Sequence, residues 1–256
     1  MIKKILLTSL IVVLAGALLG CYFHFVGSLA AKGRETSRCE RVDIILRDSL
    51  ESAIVDKGEM QAFVDGVTLG RTTARIDLDS IERAIRAHGE VMGAQVYAAS
   101  PQCVGVEITQ RKPVIRFENG PQHWYADPEG YLFPVTNAVD VPIVTGCLPL
   151  ELADNYRGAV PEANRTWLLN LVELARYIDE KDVLRNEIAQ IDVAADGDLV
   201  LYTRTPGPAV IFGDSTGYVE KFRKLEAWWR NIAPIERQKP YKTINLKYNN
   251  QIICKL

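Results

Sequence analysis

The segment Val104-Gly105-Val106-Glu107-Ile108-Thr109-Gln110-Arg111-Lys112-Pro113 decides how the chain divides into folded parts. Val104, Val106 and Ile108 alternate with small or polar residues, which is the period of a half-buried strand. The proline that ends the segment has no backbone N–H, and it disfavours helix at the residue before it. The segment therefore predicts the last strand of a first domain, over residues 39–113, and a boundary near Lys112-Pro113.

The residues before this strand predict the order strand, helix, helix, strand, strand. The candidate elements are a strand over 42–46, a short helix over 59–64 ending at Asp65-Gly66, a helix with the face Ile81, Ala84, Ile85 and His88, and a strand over 94–98. Asp79 or Ser80 is the predicted N-cap of the second helix, and Gly89 is its predicted stop.

The residues after the boundary predict a second domain over 114–256. Strand-like alternation covers 188–194, 199–203 and 209–212, and Asp196-Gly197 marks a hairpin turn. Two helical faces accompany these strands: Leu168, Leu171, Val172, Ala175 and Ile178, then Tyr218, Phe222, Leu225, Trp229 and Ile232. We expect a mostly antiparallel sheet with helices on one face, with Trp228 and Trp229 in its core and at its rim.

An apolar run at the start of the chain predicts a membrane anchor. Ile5 to Ala31 carry no formal charge and follow Lys3 and Lys4, and a membrane helix needs roughly 20 mainly apolar residues. We expect a leader over 1–4 and a transmembrane helix over 5–30. Counting basic residues alone would favour the reverse topology, because four of them closely follow the run. However, large domains translocate largely regardless of charge, and a short basic leader before an apolar run is typical of export. We therefore expect a cytoplasmic N-terminus and an exported body.

An uncleaved anchor has two alternatives. A cleaved signal peptide has an apolar region of only about 7–15 residues, and this run is longer. Leu18-Leu19-Gly20-Cys21 is similar to a bacterial lipobox, whose cysteine is acylated and becomes the new N-terminus. Against acylation at Cys21, Leu19 is an unusual residue in that motif, and an apolar run follows instead of a polar linker.

Composition and charge exclude a nucleic-acid partner. The residues after the anchor hold 28 basic and 32 acidic side chains, a net charge of −4, whereas nucleic-acid binding needs a concentrated basic surface. Basic residues do follow the anchor closely, at Lys32, Arg34, Arg38 and Arg41.

No pattern of catalytic or metal-ligating residues is present. His24, His88 and His123 have no metal-ligand spacing, and Asp127-Pro128-Glu129-Gly130 indicates a turn. We expect no cofactor, no metal and no enzymatic activity. Export permits disulfides, and four cysteines, Cys39, Cys103, Cys147 and Cys254, allow three pairings. Their apolar neighbours favour buried free thiols.

The C-terminal residues are the candidate binding site. Residues 243–248 alternate like a strand, Asn249-Asn250 suits a two-residue turn, and 251–256 would return as a final edge strand. An edge exposes unpaired amides and carbonyls, to which another protein's strand can add. The candidate partner-binding residues are Lys247, Tyr248, Gln251, Ile252, Ile253, Cys254 and Lys255.

The order of the first domain resembles a POTRA module, β-α-α-β-β. The motifs that follow resemble the FtsQ/DivIB family of bacterial cell-division proteins. They are Trp124-Tyr125-Ala126-Asp127-Pro128-Glu129-Gly130-Tyr131-Leu132-Phe133-Pro134, Val141-Pro142-Ile143-Val144-Thr145-Gly146, Val210-Ile211-Phe212-Gly213, Lys221-Phe222-Arg223-Lys224-Leu225 and Ile244-Asn245-Leu246-Lys247-Tyr248. The resemblance implies an α+β fold with an N-terminal transmembrane helix, a POTRA domain and a C-terminal β domain.

The same resemblance implies a function. It implies a non-enzymatic, single-pass scaffold of the divisome in the cell inner membrane, with a periplasmic body. Its partners would be single-pass proteins of the FtsB/FtsL type, bound at the C-terminal region, and it would take part in controlling septal wall synthesis. The POTRA domain would receive further division proteins.

Two alternative functions remain open at this point. The first is a lipid-anchored or secreted POTRA protein that assists outer-membrane or envelope assembly. The second is an exported enzyme, which a compact pocket with convergent polar groups around His88 or His123 would favour.

Overall fold

The computed structural model describes residues 14–27, 37–47, 53–234 and 241–256. The chain forms two compact units, Met1–Gln110 and Arg111–Leu256. The change from one unit to the other therefore falls two residues before Lys112-Pro113.

Residues 14–27 form helix α1. Its large apolar side chains are exposed to solvent: Leu14, Leu18, Leu19, Tyr22, Phe23, Phe25 and Val26. The remaining residues of the predicted membrane span, 5–13 and 28–30, lie outside the described residues. In the ranges that the structure describes, no helix combines the length and the apolar character needed to cross a membrane.

The rest of the first unit has the predicted order of elements. They are β1 (Arg41–Arg47), α2 (Lys57–Thr68), a 3₁₀ turn (Thr73–Arg75), α3 (Leu78–Arg86), β2 (Val91–Ser100) and β3 (Cys103–Gln110). The three strands form a sheet in the order β1-β3-β2, in which β1 is parallel and β2 antiparallel to β3.

The alternation of apolar and polar side chains along β1 and β3 determines which of their residues are buried. Val42, Ile44, Val104, Val106 and Ile108 are buried, while Arg41, Asp43 and Ile45 are exposed. The helices contribute their own apolar faces to the buried residues: Met60 and Val64 from α2, Ile81 and Ile85 from α3. The period-2 and period-3.6 patterns thus meet in one apolar core.

Two predictions about the helices were wrong. Helix α2 does not end at Asp65-Gly66 but continues to Thr68. A glycine inside a helix costs only about 1 kcal/mol relative to alanine, and burial of Val64 and Thr68 on either side of Gly66 offsets it. The N-cap of α3 is Asp77, whose side chain accepts a hydrogen bond from the Ser80 amide (2.9 Å).

The second unit is built on one large sheet. Its elements are β4 (Ile115–Asn119), β5 (Gln122–Ala126), β6 (Tyr131–Pro134), β7 (Ile143–Gly146), β8 (Gly158–Ala159), α4 (Glu162–Asp179), α5 (Asp182–Glu187), β9 (Ile188–Val193), β10 (Leu199–Thr203), β11 (Ala209–Gly213), α6 (Tyr218–Asn231), β12 (Thr243–Asn245) and β13 (Ile253–Lys255). The strand order is β13-β12-β11-β10-β9-β7-β4-β5-β6-β8.

Most neighbours in this sheet are antiparallel, as predicted, but β4–β7, β7–β9 and β11–β12 are parallel. The parallel pairs join strands that are distant in sequence, because a parallel connection needs a long crossover. Local alternation carries no information on such pairings, so the sequence could not predict them.

Helices α4 and α6 complete the core of the second unit. The ring of Tyr177 on α4 stacks on Phe222 of α6 (5.7 Å between centroids), and Phe222 packs against Phe212 of β11 (4.9 Å). Trp228 is buried and Trp229 is half-buried, so one tryptophan lies in the core and the other at its rim, as expected. The predicted apolar face of this helix was wrong in its last turn, because Trp228 is buried in place of Trp229 and Ile232 is 38% exposed.

The cysteine prediction was partly wrong. Cys39 and Cys103 are buried free thiols, as expected, but Cys147 is exposed and Cys254 is half-buried. Cys147 directly follows β7, where the strand ends at Gly146 (φ +91°) and the chain turns out of the sheet.

A buried ion pair anchors the start of the second unit. Arg111 Nη1 lies 2.5 Å from Asp127 Oδ2, and the two side chains are 15% and 2% exposed. Asp127 Oδ1 also accepts hydrogen bonds from the amides of Glu129 and Tyr131, which closes the turn between β5 and β6. The Arg111 guanidinium lies over the Tyr131 ring, 3.5 Å from its centroid. The predicted turn at Asp127–Gly130 is therefore fixed by the first residue of the unit.

We expect Asp127→Asn to destabilise the second unit by about 3–5 kcal/mol, because it leaves the buried Arg111 charge without its counter-ion. The double variant Arg111→Met/Asp127→Asn should recover part of that loss. Urea unfolding of the full chain in detergent, followed by tryptophan fluorescence, measures both. The exposed pair Glu220–Arg223 supplies the control, since Arg223→Met should change stability much less than Asp127→Asn. Equal effects in the two pairs would contradict the prediction.

Candidate partner-binding edge at the C-terminus

Strand β13 lies at one end of the ten-stranded sheet. It pairs with β12 in antiparallel register, with Ile244 opposite Cys254 and Asn245 opposite Ile253, and no described strand pairs with its other side. The predicted location of the final strand at a sheet edge is therefore confirmed. Its free side presents backbone amides and carbonyls to solvent.

The strands at this edge are shorter than predicted. Strand β12 stops at Asn245 and β13 starts at Ile253, so the connection is longer than a two-residue turn. The reason lies in Leu246, which is fully buried and whose amide bonds to the Ile211 carbonyl of β11 (2.9 Å). Asn250 has the left-handed backbone (φ +58°) that was expected of the asparagine pair.

The candidate residues fall into an outward and an inward set. Tyr248, Gln251, Ile253 and Lys255 are exposed. Ile252 and Cys254 are half-buried and pack against the apolar core. The inward pair holds β13 on the domain. The outward residues are the predicted binding residues whose side chains are accessible to a partner.

Lys247 has a structural contact instead of a free side chain. Its ammonium group pairs with Asp198 Oδ2 of the β9–β10 turn, and this hydrogen bond raises the pKa of Lys247. The aliphatic part crosses Gly213 (φ +81°), where an added Cβ would lie 2.8 Å from Lys247 Cγ. Glycine at position 213 thus leaves room for the lysine that joins the end of β12 to the β9–β10 hairpin.

Helix α6 holds the connection between the last two strands, and sequence reasoning assigned it no role at the site. Lys224 Nζ donates hydrogen bonds to the carbonyls of Leu246 (2.8 Å) and Tyr248 (2.7 Å). Burial lowers the pKa of Lys224, in keeping with its position under the loop. The sequence signal for this role was the basic stretch Lys221-Phe222-Arg223-Lys224. Only the fold, however, places Lys224 near the sheet edge.

A groove runs between α6 and the last connection. It is lined on the helix by Glu220, Arg223, Lys224, Glu226, Ala227 and Arg230, and on the connection by Asn250, Gln251 and Ile252. The groove adjoins the edge strand through Ile252, which precedes β13. A segment pairing with β13 could therefore place flanking residues against charged side chains of α6.

The start of α6 is fixed by a second lysine. Lys221 Nζ donates to the backbone carbonyl of Asp214 and to its Oδ1, both at 2.8 Å. The Lys221 hydrogen bond, followed by those of Thr216, lowers the pKa of Asp214 below its ordinary value of 3.8. A carboxyl with a lowered folded-state pKa stabilises the fold above its ordinary pKa, and this contribution is lost as the pH falls through the folded-state pKa.

We expect Asp214→Asn to reduce the stability of the second unit at pH 7, and to reduce it less as the pH falls below about 4. Urea unfolding at a series of pH values measures the difference between variant and parent. Asp179→Asn is the matched control, because Asp179 is exposed at the end of α4. A stability difference for Asp214→Asn that does not change with pH would contradict the prediction.

The histidines do not form a metal site. His88 Nδ1 lies 3.6 Å from Glu90 Oε1, and the part of the chain that the structure describes has no group of three potential ligands. An open groove does adjoin His123, lined also by Asp154 and Asn155. However, His123 Nδ1 is buried without a hydrogen-bond partner, and the Asp154 carboxylate accepts a bond from Gln122. The lining residues include no pairing of a nucleophile with a base.

The site thus consists of a sheet edge that no described strand covers and a charged groove that adjoins it. Comparison with known proteins gives the family. The FtsQ/DivIB, C-terminal related family matches residues 112–255, more than half of the chain. This chain therefore belongs to the FtsQ/DivIB family.

Two relatives match a larger part of the chain. It is 26% identical over 230 residues to the Cell division protein FtsQ of Rhodothermus marinus, covering 86% of this chain and 78% of that protein. It is 24% identical over 187 residues to the Cell division protein FtsQ of Streptomyces bingchenggensis, covering 73% and 68%.

Proposed function

We propose that this chain is a non-enzymatic cell-division protein that recruits and regulates other single-pass division proteins through its exported domain. Its family membership and its two relatives named as cell division protein FtsQ support a role in cell division. The observation that carries the molecular role is the open side of β13, next to the groove along α6. Proteins of the FtsB/FtsL type are the proposed partners.

The proposed binding mode is strand addition to β13. Each new main-chain hydrogen bond contributes about 0.5–1.5 kcal/mol net, and a strand of three residues has at most two residues facing an added strand. Backbone pairing with β13 therefore supplies only part of the free energy that micromolar binding needs, and side-chain contacts supply the rest. The outward side chains of Tyr248, Gln251, Ile253 and Lys255 supply contacts beside those bonds. Charged residues on α6, including Arg223 and Arg230, give the groove a means to discriminate between partners.

The first unit has the proposed role of a POTRA domain close to the membrane. Its β-α-α-β-β order and its sheet order β1-β3-β2 support this assignment. The sequence of residues 5–30 supports an uncleaved anchor in the cell inner membrane, with residues 1–4 cytoplasmic and both units periplasmic. The POTRA surface is a second proposed contact for division proteins.

We expect β13 variants to separate backbone binding from side-chain binding. Ile253→Ala should weaken capture of FtsB and FtsL only slightly, because its backbone can still pair. Ile253→Pro should weaken capture about tenfold or more, since proline removes a donor and blocks pairing. Deletion of residues 251–256 should abolish capture while the first unit stays folded. Affinity capture from membranes, with quantification of both proteins by mass spectrometry, measures all three.

Val183→Ala is the matched control for these variants, because Val183 is also an exposed apolar residue (56%) but lies on α5. It should capture both partners at the parental level. Circular dichroism checks that each variant is folded. A folded deletion variant that captures its partners at full strength would place the interface elsewhere.

We expect the mature protein to keep residues 1–20. Intact-mass and N-terminal peptide analysis of the purified membrane form measures this directly. Cys21→Ser should leave the mass of the N-terminal peptide changed only by the substitution and should keep the protein in the membrane. A mature chain that begins at an acylated Cys21 would instead favour the lipid-anchored POTRA protein.

A further inference from the structure

The connection between α2 and α3 is fastened to the residues where the chain enters the first unit. The Gly70 amide bonds to the Cys39 carbonyl (2.8 Å), and the Cys39 amide bonds to the Arg71 carbonyl (2.9 Å). The Thr73 amide bonds to the Ser37 carbonyl (3.0 Å). Residues 69–75 therefore share one end of the unit with residues 37–39.

This end carries exposed basic side chains that come from separate parts of the sequence. Arg38, Arg71 and Arg75 are all exposed. Arg38 Nη1 bonds to the Gly70 carbonyl, and neither Arg71 nor Arg75 forms an ion pair with a described residue. The acidic side chains nearest in sequence are Glu40, whose carboxylate accepts a hydrogen bond from Gln102, and Asp77, which caps α3. Positive charge is thus in excess at this end.

An exposed apolar residue lies beside these arginines. Leu69 follows the last residue of α2 and is 44% exposed. Its neighbour Gly70 has a left-handed backbone (φ +74°), which turns the chain there. The connection thus presents an exposed apolar side chain within six residues of Arg71 and Arg75, and this combination suits the boundary between lipid headgroups and acyl chains.

The position of this end in the chain favours a lipid surface as its ligand. Only residues 28–36 separate α1, with its exposed apolar side chains, from Ser37. Ten peptide steps span at most about 36 Å when fully extended. If α1 belongs to a membrane anchor, Ser37 lies within about 36 Å of its last described residue, and Leu69 and the three arginines share the end of the unit at which the chain enters.

We infer that Arg38, Leu69, Arg71 and Arg75 form a docking surface for anionic phospholipid, which holds the first unit against the membrane. This inference rests on the anchoring proposed above. Guanidinium groups bind phosphate oxygens, and Leu69 enters the interfacial region. The surface would fix the orientation of the unit relative to the membrane, so that its sheet edges face proteins arriving from the side.

The opposite end of the same sheet supplies an internal control. Met92 is an exposed apolar residue (61%) near the start of β2. Strand β2 begins opposite Gln110 and ends opposite Cys103, next to the chain entry. Met92 is therefore separated from the proposed surface by the length of the sheet, about 20 Å for seven residues.

Photo-crosslinking of the full chain in vesicles tests the inference. Photoleucine is placed at position 69, 92 or 19 in separate samples, and the protein is reconstituted in phosphatidylcholine alone or mixed with phosphatidylglycerol. Mass spectrometry then quantifies phospholipid adducts. We expect abundant adducts at 69 in the mixed vesicles, fewer in phosphatidylcholine alone, and few at 92 in both.

A charge variant tests the role of the arginines. Arg71→Gln should lower the adduct yield at position 69 about fivefold, the ratio that corresponds to about 1 kcal/mol for one basic side chain near an anionic surface. Arg83→Gln is the matched control on exposed α3 surface and should leave the yield unchanged. Arg83 has no ion pair with a described residue, so both substitutions remove a comparable exposed charge.

The outcomes separate this inference from the proposal on which it rests. Equal adduct yields at positions 69 and 92, with strong lipid adducts at 19, would overturn the docking surface and leave the anchor intact. Yields at 69 that do not depend on phosphatidylglycerol or on Arg71 would also overturn it. Absence of lipid adducts at position 19 would overturn the anchoring, and the docking surface with it.

Discussion

In the ten-stranded sheet, each strand needs partners for its backbone amides and carbonyls. The inner strands find them on both sides, whereas β8 and β13 each have one neighbour among the described strands. The two edges are not equivalent. Strand β8 contains two residues, Gly158 and Ala159, so it offers few groups to another chain. Strand β13 is directly preceded by Ile252, which lines the groove of α6, and β13 is therefore the edge proposed for binding.

The contacts around β13 hold the edge in place without covering it. Lys224 of α6 donates a hydrogen bond to the Tyr248 carbonyl in the connection before the strand. Lys247, in the same connection, pairs with Asp198. Ile252 and Cys254 pack inward. Strand addition costs free energy because the binding segment must become ordered. Strand β13 is already held in place, so only the incoming segment has to become ordered. The same interactions leave Ile253 and Lys255 exposed.

The two units are proposed to make different contacts. A surface of Arg38, Leu69, Arg71 and Arg75 would fix the first unit on the lipid, while β13 of the second unit would capture partners that are anchored in the same membrane. Confinement to one membrane raises the effective concentration of such partners, so the edge could work with modest intrinsic affinity. Modest affinity is in turn consistent with a short strand of three residues.

Periodicity in the sequence determined the elements of both units, because a half-buried strand repeats every two residues and a helical face every 3.6. The β-α-α-β-β order and the edge position of the last strand followed from such local patterns. The burial of Trp228 in place of Trp229 did not. Contacts between distant residues were decided by the tertiary structure alone. The parallel pairing of β7 with β4 and β9, the hydrogen bonds of Lys224 to Leu246 and Tyr248, and the meeting of Arg71 with Arg38 depend on which elements pack together. Spacing in the sequence does not determine that packing. Each contact joins residues that are far apart in the chain, and local patterns do not specify the path between them.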